Sequence, residues 1–379
     1  LCPEHERLVA AALREAGFQV SVSSEILPEF REFERASTTA VNAYVSPVLD
    51  RYLDKLQLGL THPGASVALR VMQSNGGNMS LEEARSNGVR CILSGPAGGV
   101  VGAKFLAGFL EEQAGGPVRL ITFDMGGTST DVSLIAGEAL VTTESLVSGC
   151  PIRIPMLDIH TIGAGGGSIA RLDEGGALRV GPESAGADPG PACYGRGELP
   201  TVTDANLVLG RLAPDFFLGG AMRLDIDRAR QAIEMLGAKS GLEVLQAALG
   251  VVQVANAHME RALRVISVER GHDPRQFTLL SFGGAGGLHA VELARRLGIG
   301  QVLIPPLAST LSAFGMLAAD IIRDYTQTVM LPSDTPLDRI ASALEILVGQ
   351  AAKDLLPYLE DRVGSAQAQV EYERMLDLR

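Results

Sequence analysis

Apolar residues recur at helical spacing over residues 4–17, predicting an amphipathic helix closed by Gly17. A short extended run at 19–23 follows, and 29–56 returns to helical spacing with a bend expected before Pro47. Residues 67–73 read as a strand entering the turn signal Ser74-Asn75-Gly76-Gly77. Ser80, with Glu83 three positions on, predicts a capped short helix. A second short strand is expected over 90–93. It leads into Ser94-Gly95-Pro96-Ala97-Gly98-Gly99 and a helix carrying Val101, Phe105, Leu106 and Phe109 on one face.

The clearest pattern lies at 121–135, where an apolar run feeds Asp124, then Met125-Gly126-Gly127-Thr128-Ser129-Thr130, then Asp131 and a β-branched run. That order reads as strand, tight turn, strand. Residues 162–197 are rich in Gly and Pro and poor in apolar positions, so a long loop is expected there. Helices are predicted over 202–209 and 242–270, the second stopped by Gly271. A strand over 277–282 enters Gly283-Gly284-Ala285-Gly286-Gly287, followed by a helix through Leu297 and a strand at 302–304. The tail is helical over 337–359, with the start of a strand at 370–378. Strands alternating with helices predict an α/β class with a mixed sheet.

Composition narrows the function classes. The 379 residues suggest two to three domains, and 46% hydrophobic content is enough for real cores. Gly is abundant at 44 residues while aromatics make up 4% with no Trp, favouring Gly-shaped ligand loops over stacking platforms. A net charge of −12 argues against nucleic acid and anionic membranes as partners. The most apolar window, 91–110, holds Pro96, Lys104 and several glycines, so no membrane span is read. Cys2, Cys91, Cys150 and Cys193 show no C-x-x-C spacing, which speaks against structural zinc or a disulfide framework and fits a cytoplasmic location. The chain begins at Leu1 inside a helical pattern, and is read as a fragment of a longer protein.

The chemistry concentrates in three Gly-rich turns after expected strands: 94–99, 125–130 and 283–287. Glycines let backbone approach a ligand, and consecutive amides in such turns form anion-binding nests. The first and third turns also open helices, whose N-termini favour anions. Together they point to a nucleotide site, with phosphates at the hairpin and at Gly95, Gly98 and Gly99, and the nucleoside against Gly283, Gly284 and Ala285. It is not a Walker loop, because no Gly-Lys-Ser/Thr follows.

Asp124 is read as positioning Mg²⁺ or a catalytic water, or else as accepting turn amides. Gly126, Gly127, Thr128, Ser129 and Thr130 supply phosphate donors in the first reading and an ordinary turn in the second. Asp131 is a second acid or a structural acceptor. Asp158 and His160 share a face of an extended segment and could ligate Zn²⁺ or Mn²⁺, act as a base, or form a structural pair. Cys193 is a nucleophile or a small buried residue, Asp204 and Asn206 cap a helix or touch substrate, and His289 packs or caps rather than acting in catalysis.

Four runs carry a family resemblance: Phe123 through Asp131, Ile162-Gly163-Ala164-Gly165-Gly166-Gly167-Ser168-Ile169-Ala170, Pro189-Gly190-Pro191-Ala192-Cys193-Tyr194-Gly195-Arg196-Gly197, and Pro200-Thr201-Val202-Thr203-Asp204-Ala205-Asn206. These resemble the hydantoinase A/5-oxoprolinase family, which takes in N-methylhydantoinase-like enzymes and acetone- and acetophenone-type carboxylase subunits. The resemblance implies an actin/sugar kinase/Hsp70-like fold, in which ATP and Mg²⁺ lie between two ribonuclease-H-like lobes. It implies ATP-dependent hydrolysis of a cyclic amide of hydantoin or 5-oxoproline type, with Asp124 and Asp131 as catalytic residues. Alternatives are an ATP-dependent ketone carboxylase subunit, a small-molecule kinase and a non-catalytic nucleotide-binding module.

By the same resemblance, 1–62 is a helical remnant of a missing N-terminal lobe, 63–330 the ATPase domain and 331–379 the start of a C-terminal region. The chain would then supply half an ATP cleft and work with a hydantoinase B-type subunit in an oligomer. Two departures stand out: Gly287 and Ser309 occupy positions where the family leads one to expect Pro and Gly.

Overall fold

The computed structural model describes residues 2–60, 69–147, 149–360 and 370–376. The expected domain boundary at 62/63, the first residues of the strand expected over 67–73 and the end of the tail strand lie outside the described residues. Residues 370–376 carry no strand.

A mixed sheet holds the centre. Strands β1 (Arg119–Met125) and β2 (Thr130–Ala136) form the antiparallel hairpin read from the sequence, and β3 (His160–Ile162) adds antiparallel to β2. On the other side β4 (Thr278–Phe282) runs parallel to β1, and β5 (Gln301–Leu303) parallel to β4. The order is therefore β3-β2-β1-β4-β5, with a stub, Glu138–Ala139, on β2.

The longer helices, in chain order, are α1 (Pro3–Glu15), α2 (Glu32–Leu60), α3 (Ser94–Ala114), α4 (Val202–Val208), α5 (Ile226–Ser240), α6 (Val244–Ile266), α7 (Ala290–Leu297), α8 (Leu311–Ala318) and α9 (Leu337–Glu360). Of these, α3 to α8 cover the two faces of the sheet. Ile121, Phe123 and Met125 of β1 join Val132 and Leu134 in a core with α4 to α7. Leu120, Ile135, Leu280 and Phe282 join α3 and α8 in the opposite core. Burial on both faces is why β1 reads as a nearly continuous apolar run. Among the described residues no single helix is long and apolar enough to cross a membrane.

Local signals placed several elements correctly. Ser80 accepts from the Glu83 amide at 3.2 Å, and Thr201 with Asp204 completes a reciprocal capping box at the start of α4. Pro47 lies inside α2.

Other expectations were overturned by tertiary packing. Residues 19–23 form no strand and lead into a short helix, Ser23–Ile26. In place of a strand over 90–93 stands a 3₁₀ turn, Gly88–Cys91. Leu93 is left-handed at φ 60°, and α3 begins at Ser94, so the first glycine-rich turn is helix. The Gly/Pro-rich stretch contains an antiparallel hairpin, Ser168–Leu172 with Leu178–Ser184. Its inward positions include Ser168, Ala170 and Val180, too small or polar to give an apolar alternation. The predicted helix over 242–270 is shorter, ending at Ile266 before a 3₁₀ turn, Val268–Arg270, while α5 and α8 were not foreseen.

Candidate functional site

Register decides the site. Asp124 ends β1 directly opposite Asp131 of β2, so both carboxylates leave the same face of the sheet. That face looks toward α3 and α8. Ser312, on the first turn of α8, donates to Asp124 Oδ2 at 3.2 Å, and Thr161 of β3 donates to Asp131 Oδ1 at 2.5 Å. One pair deeper, Thr122 and Ser133 hydrogen-bond to each other at 2.7 Å and seal the floor.

Burial and the neighbouring Asp131 push the Asp124 carboxyl up to about 6, against the Ser312 hydrogen bond. Burial also raises Asp131. Among the described residues no Lys or Arg is paired with either acid. Two half-buried carboxylates without a basic partner are poised for a hard cation that also binds phosphate oxygens. The donor set therefore fits Mg²⁺.

The hairpin tip is walled by glycine on two sides. The 163–167 run lies over it, with the Gly166 amide donating to Gly126 O at 3.0 Å and Gly167 to Gly127 O at 2.6 Å. A Cβ on Gly165 would lie 2.6 Å from the Thr128 amide nitrogen, so only glycine lets the two backbones meet. On the other side Gly283, at φ +79°, follows β4, and a Cβ there would collide with Asp124 Oδ1 and Met125 O. The Ala285 amide donates to Met125 O at 2.9 Å, fixing this turn against the hairpin, and Gly284 lies open between them.

Gly126 N closes the turn onto Ser129 O. Among the described residues the amides of Gly127, Thr128 and Ser129 have no acceptor, which leaves three backbone donors at a tip beside two acids. Thr130 is taken up differently: buried, its hydroxyl donates to Ala164 O at 2.5 Å. Thr128 Oγ1 stands 3.4 Å from Ser184 Oγ.

The structure thus brings together 124–131 and 283–285, as read from the sequence, and adds 163–167. That last run entered the sequence analysis only through its resemblance. Its signal was the Gly-Gly-Gly triplet itself, which marks close backbone approach.

Gly98 and Gly99 are corrected. They lie within α3 facing α8 and β4, where a Cβ on Gly98 would come 2.7 Å from Ser312 O and one on Gly99 2.8 Å from the Phe282 ring. They are packing residues. Gly95, on the first turn of α3, has nothing within 4 Å of its Cβ position and belongs to the same helix.

The Asp158–His160 metal pair is also corrected. Asp158 is ion-paired with Arg270, whose Nη2 donates to Oδ1 at 2.9 Å. Because Thr161 faces Asp131, its neighbour His160 lies on the opposite face of the sheet. Among the described residues no group of three or more His, Cys, Asp or Glu is placed to hold a metal. Asp158→Asn and His160→Ala are therefore expected to leave the Mg²⁺ requirement of the full-length protein unchanged within about twofold. A titration of ATP hydrolysis with Mg²⁺ checks this, and a Mg²⁺ midpoint moved tenfold by either would restore the metal reading.

Cys193 is buried, and burial with the Asp204 carboxylate beside it raises its thiol, which disfavours a thiolate there. Asp204 is structural: besides Thr201 it accepts the Ala192 and Cys193 amides at 3.2 and 2.8 Å. Asn206 is buried on α4 beside His289, which precedes α7.

Comparison with known proteins shows the family. The family model for hydantoinases and oxoprolinases matches residues 35–325. The caprolactamase alpha subunit of Pseudomonas jessenii is 43% identical over 353 residues, covering 91% of this chain and 50% of the relative. The 5-oxoprolinase of Saccharomyces cerevisiae is 42% identical over 335 residues, covering 85% of this chain and 25% of the relative. Among solved structures, nucleotide-free acetone carboxylase superposes with TM-score 0.79 at 33% identity, over 95% of this chain and 51% of that one. The ATP-dependent caprolactamase of Pseudomonas jessenii gives 0.78 at 41% identity, over 93% and 52%. The chain spans about half or less of the length of these relatives.

Proposed function

The chain belongs to the hydantoinase/oxoprolinase family, and from that premise we propose that it supplies one lobe of the ATP site of an enzyme hydrolysing a cyclic amide. The observation that carries this reading is the Asp124–Asp131 pair under an open, glycine-walled hairpin tip. The order β3-β2-β1-β4-β5, three antiparallel strands followed by two parallel ones, supports the ribonuclease-H-like lobe of an actin-like ATPase. Residues 63–330 form its ATPase unit.

In this reading the amides of Gly127, Thr128 and Ser129 receive phosphate oxygens. Asp124 and Asp131 are the residues that would hold Mg²⁺, which would supply positive charge against the phosphates there. The Gly283–Ala285 turn faces the nucleoside. Ser312 and Thr161 keep the two carboxylates aimed. The lactam carbonyl oxygen takes the phosphoryl group as ADP leaves. Water adds to the activated carbon, the C–N bond breaks with the nitrogen taking a proton, and a second water hydrolyses the resulting acyl phosphate, releasing inorganic phosphate and the opened ring. The named relatives support a lactam, of hydantoin, 5-oxoproline or caprolactam type, and the "subunit alpha" designation of one supports a second, hydantoinase B-type subunit.

Acetone carboxylase as a structural neighbour favours one second reading, ATP-dependent activation of a ketone enol for carboxylation. The two share the ATP site and part at the acceptor. Full-length protein is expected to hydrolyse ATP at least about tenfold faster with one of these cyclic amides, as chromatography of ADP and the opened ring would show. Stimulation by bicarbonate plus ketone instead would assign the carboxylase reading. A stable phosphorylated acceptor would overturn both.

A further inference from the structure

His289 is fully buried and follows the 283–288 turn at the start of α7. Its Nδ1 is 2.6 Å from Asn256 Oδ1 on α6, an atom that only accepts, so Nδ1 carries the proton. Its Nε2 then accepts from Asn206 Nδ2 on α4 at 3.3 Å. Burial, with Arg211 nearby, pushes the imidazole down to about 4 and keeps it in this neutral, two-ended form.

One end of this bridge, and the backbone of His289 itself, lead to the hairpin tip. On one side Asn206 sits one turn beyond Thr203, whose amide and hydroxyl both donate to Gly166 O, at 2.7 and 2.8 Å. Gly166 in turn donates to Gly126 O. On the other side the His289 amide donates to Gly286 O at 3.1 Å, closing the turn whose Ala285 amide is fixed on Met125 O. His289 thus links α4, whose Thr203 holds Gly166, to the 283–288 turn that its own backbone closes, while Asn256 anchors it to the core helix.

We propose that His289 is a positioning residue that sets the spacing of the two glycine walls, and thereby nucleotide affinity, through its paired hydrogen bonds to Asn206 and Asn256. The proposal rests on the nucleotide reading of the site given above. Each wall is also held to the hairpin by its own backbone bonds, and the His289 bridge adds a link between the elements that carry them.

The test is calorimetric titration of Mg·ATP into full-length protein carrying His289→Leu, Asn206→Leu or His289→Gln, with Asp124→Ala alongside. His289→Leu keeps bulk and loses both bonds. Asn206→Leu cuts the bridge at one end and decides the matter if the first variant does not fold. Both are expected to bind Mg·ATP roughly tenfold more weakly at unchanged stoichiometry. His289→Gln, which keeps an acceptor at the Nε2 position, is expected within about threefold of wild type.

A purely structural histidine would lower stoichiometry and melting temperature and leave the Kd of the folded fraction alone. That result, or wild-type affinity in Asn206→Leu, overturns the proposal. If wild type binds and Asp124→Ala does not, such a failure belongs to His289 alone. If wild type binds no Mg·ATP, the nucleotide reading falls and this proposal with it.

Discussion

Asp124→Asn is expected to weaken Mg·ATP binding by the full-length protein roughly a hundredfold or more, about 2.7 kcal/mol, while making the ligand-free protein more stable. Both effects have one cause. Burial and the facing Asp131 raise the Asp124 carboxyl from 3.8 to about 6, so the fold disfavours its charge. The unfolded chain ionises first. Between about pH 4 and 6 the folded state therefore holds more proton than the unfolded one, and stability falls as pH rises through that window.

Above pH 6 the penalty is fully present, and below about pH 4 it is absent. Two units correspond to at most about 3 kcal/mol, and solvent at a half-buried group reduces this to about 1–2 kcal/mol. The asparagine variant keeps the size and loses the charge, so it should melt a few degrees higher at pH 7, with a flatter pH dependence. Melting curves from pH 4.5 to 7.5, with nucleotide titrations at pH 7.5, measure both. A variant that binds Mg·ATP like wild type, or melts lower, would return Asp124 to the role of a turn acceptor.

The second large effect is expected at Gly315, one turn beyond Ser312 on α8. A Cβ there would run into Gly98 O and lie 2.6 Å from the Gly102 amide nitrogen. From the other helix, Cβ atoms on Gly98 and Gly102 would each come 2.7 Å from backbone oxygens, those of Ser312 and Leu311. None of these atoms can rotate away. Gly315→Ala must therefore push α8 off α3, at a cost of about 3 kcal/mol or more.

Because Ser312 rides on α8 and bonds Asp124, nucleotide affinity should fall as well. Gly95→Ala is the contrast: nothing lies within 4 Å, and its stability should change by less than about 1 kcal/mol. Chemical denaturation of the pair reads the difference. A Gly315→Ala midpoint equal to wild type would mean that the two helices do not cross as closely as described.

Local rules determined much of this protein from sequence alone. The β1–β2 hairpin was legible because a strand covered on both faces must be apolar throughout, and because acid, Gly-Gly and hydroxyls must follow at a tight turn. The cap at Ser80 was legible because donor and acceptor lie three residues apart. Both acids, Asp124 and Asp131, stood out in the sequence, but that they face each other came from the strand register.

Tertiary structure decided which partner a small or charged residue meets. Gly98 looked like a phosphate turn until α8, more than two hundred residues later in the chain, came to lie on it. Asp158 looked like a ligand until Arg270, 112 residues on, took its carboxylate. The Gly165 wall and the His289 bridge depend in the same way on backbone from distant segments. A sequence states conformational preference and spacing along one chain. Glycine and charge acquire their roles from whichever surface packs against them, and only the fold chooses that surface.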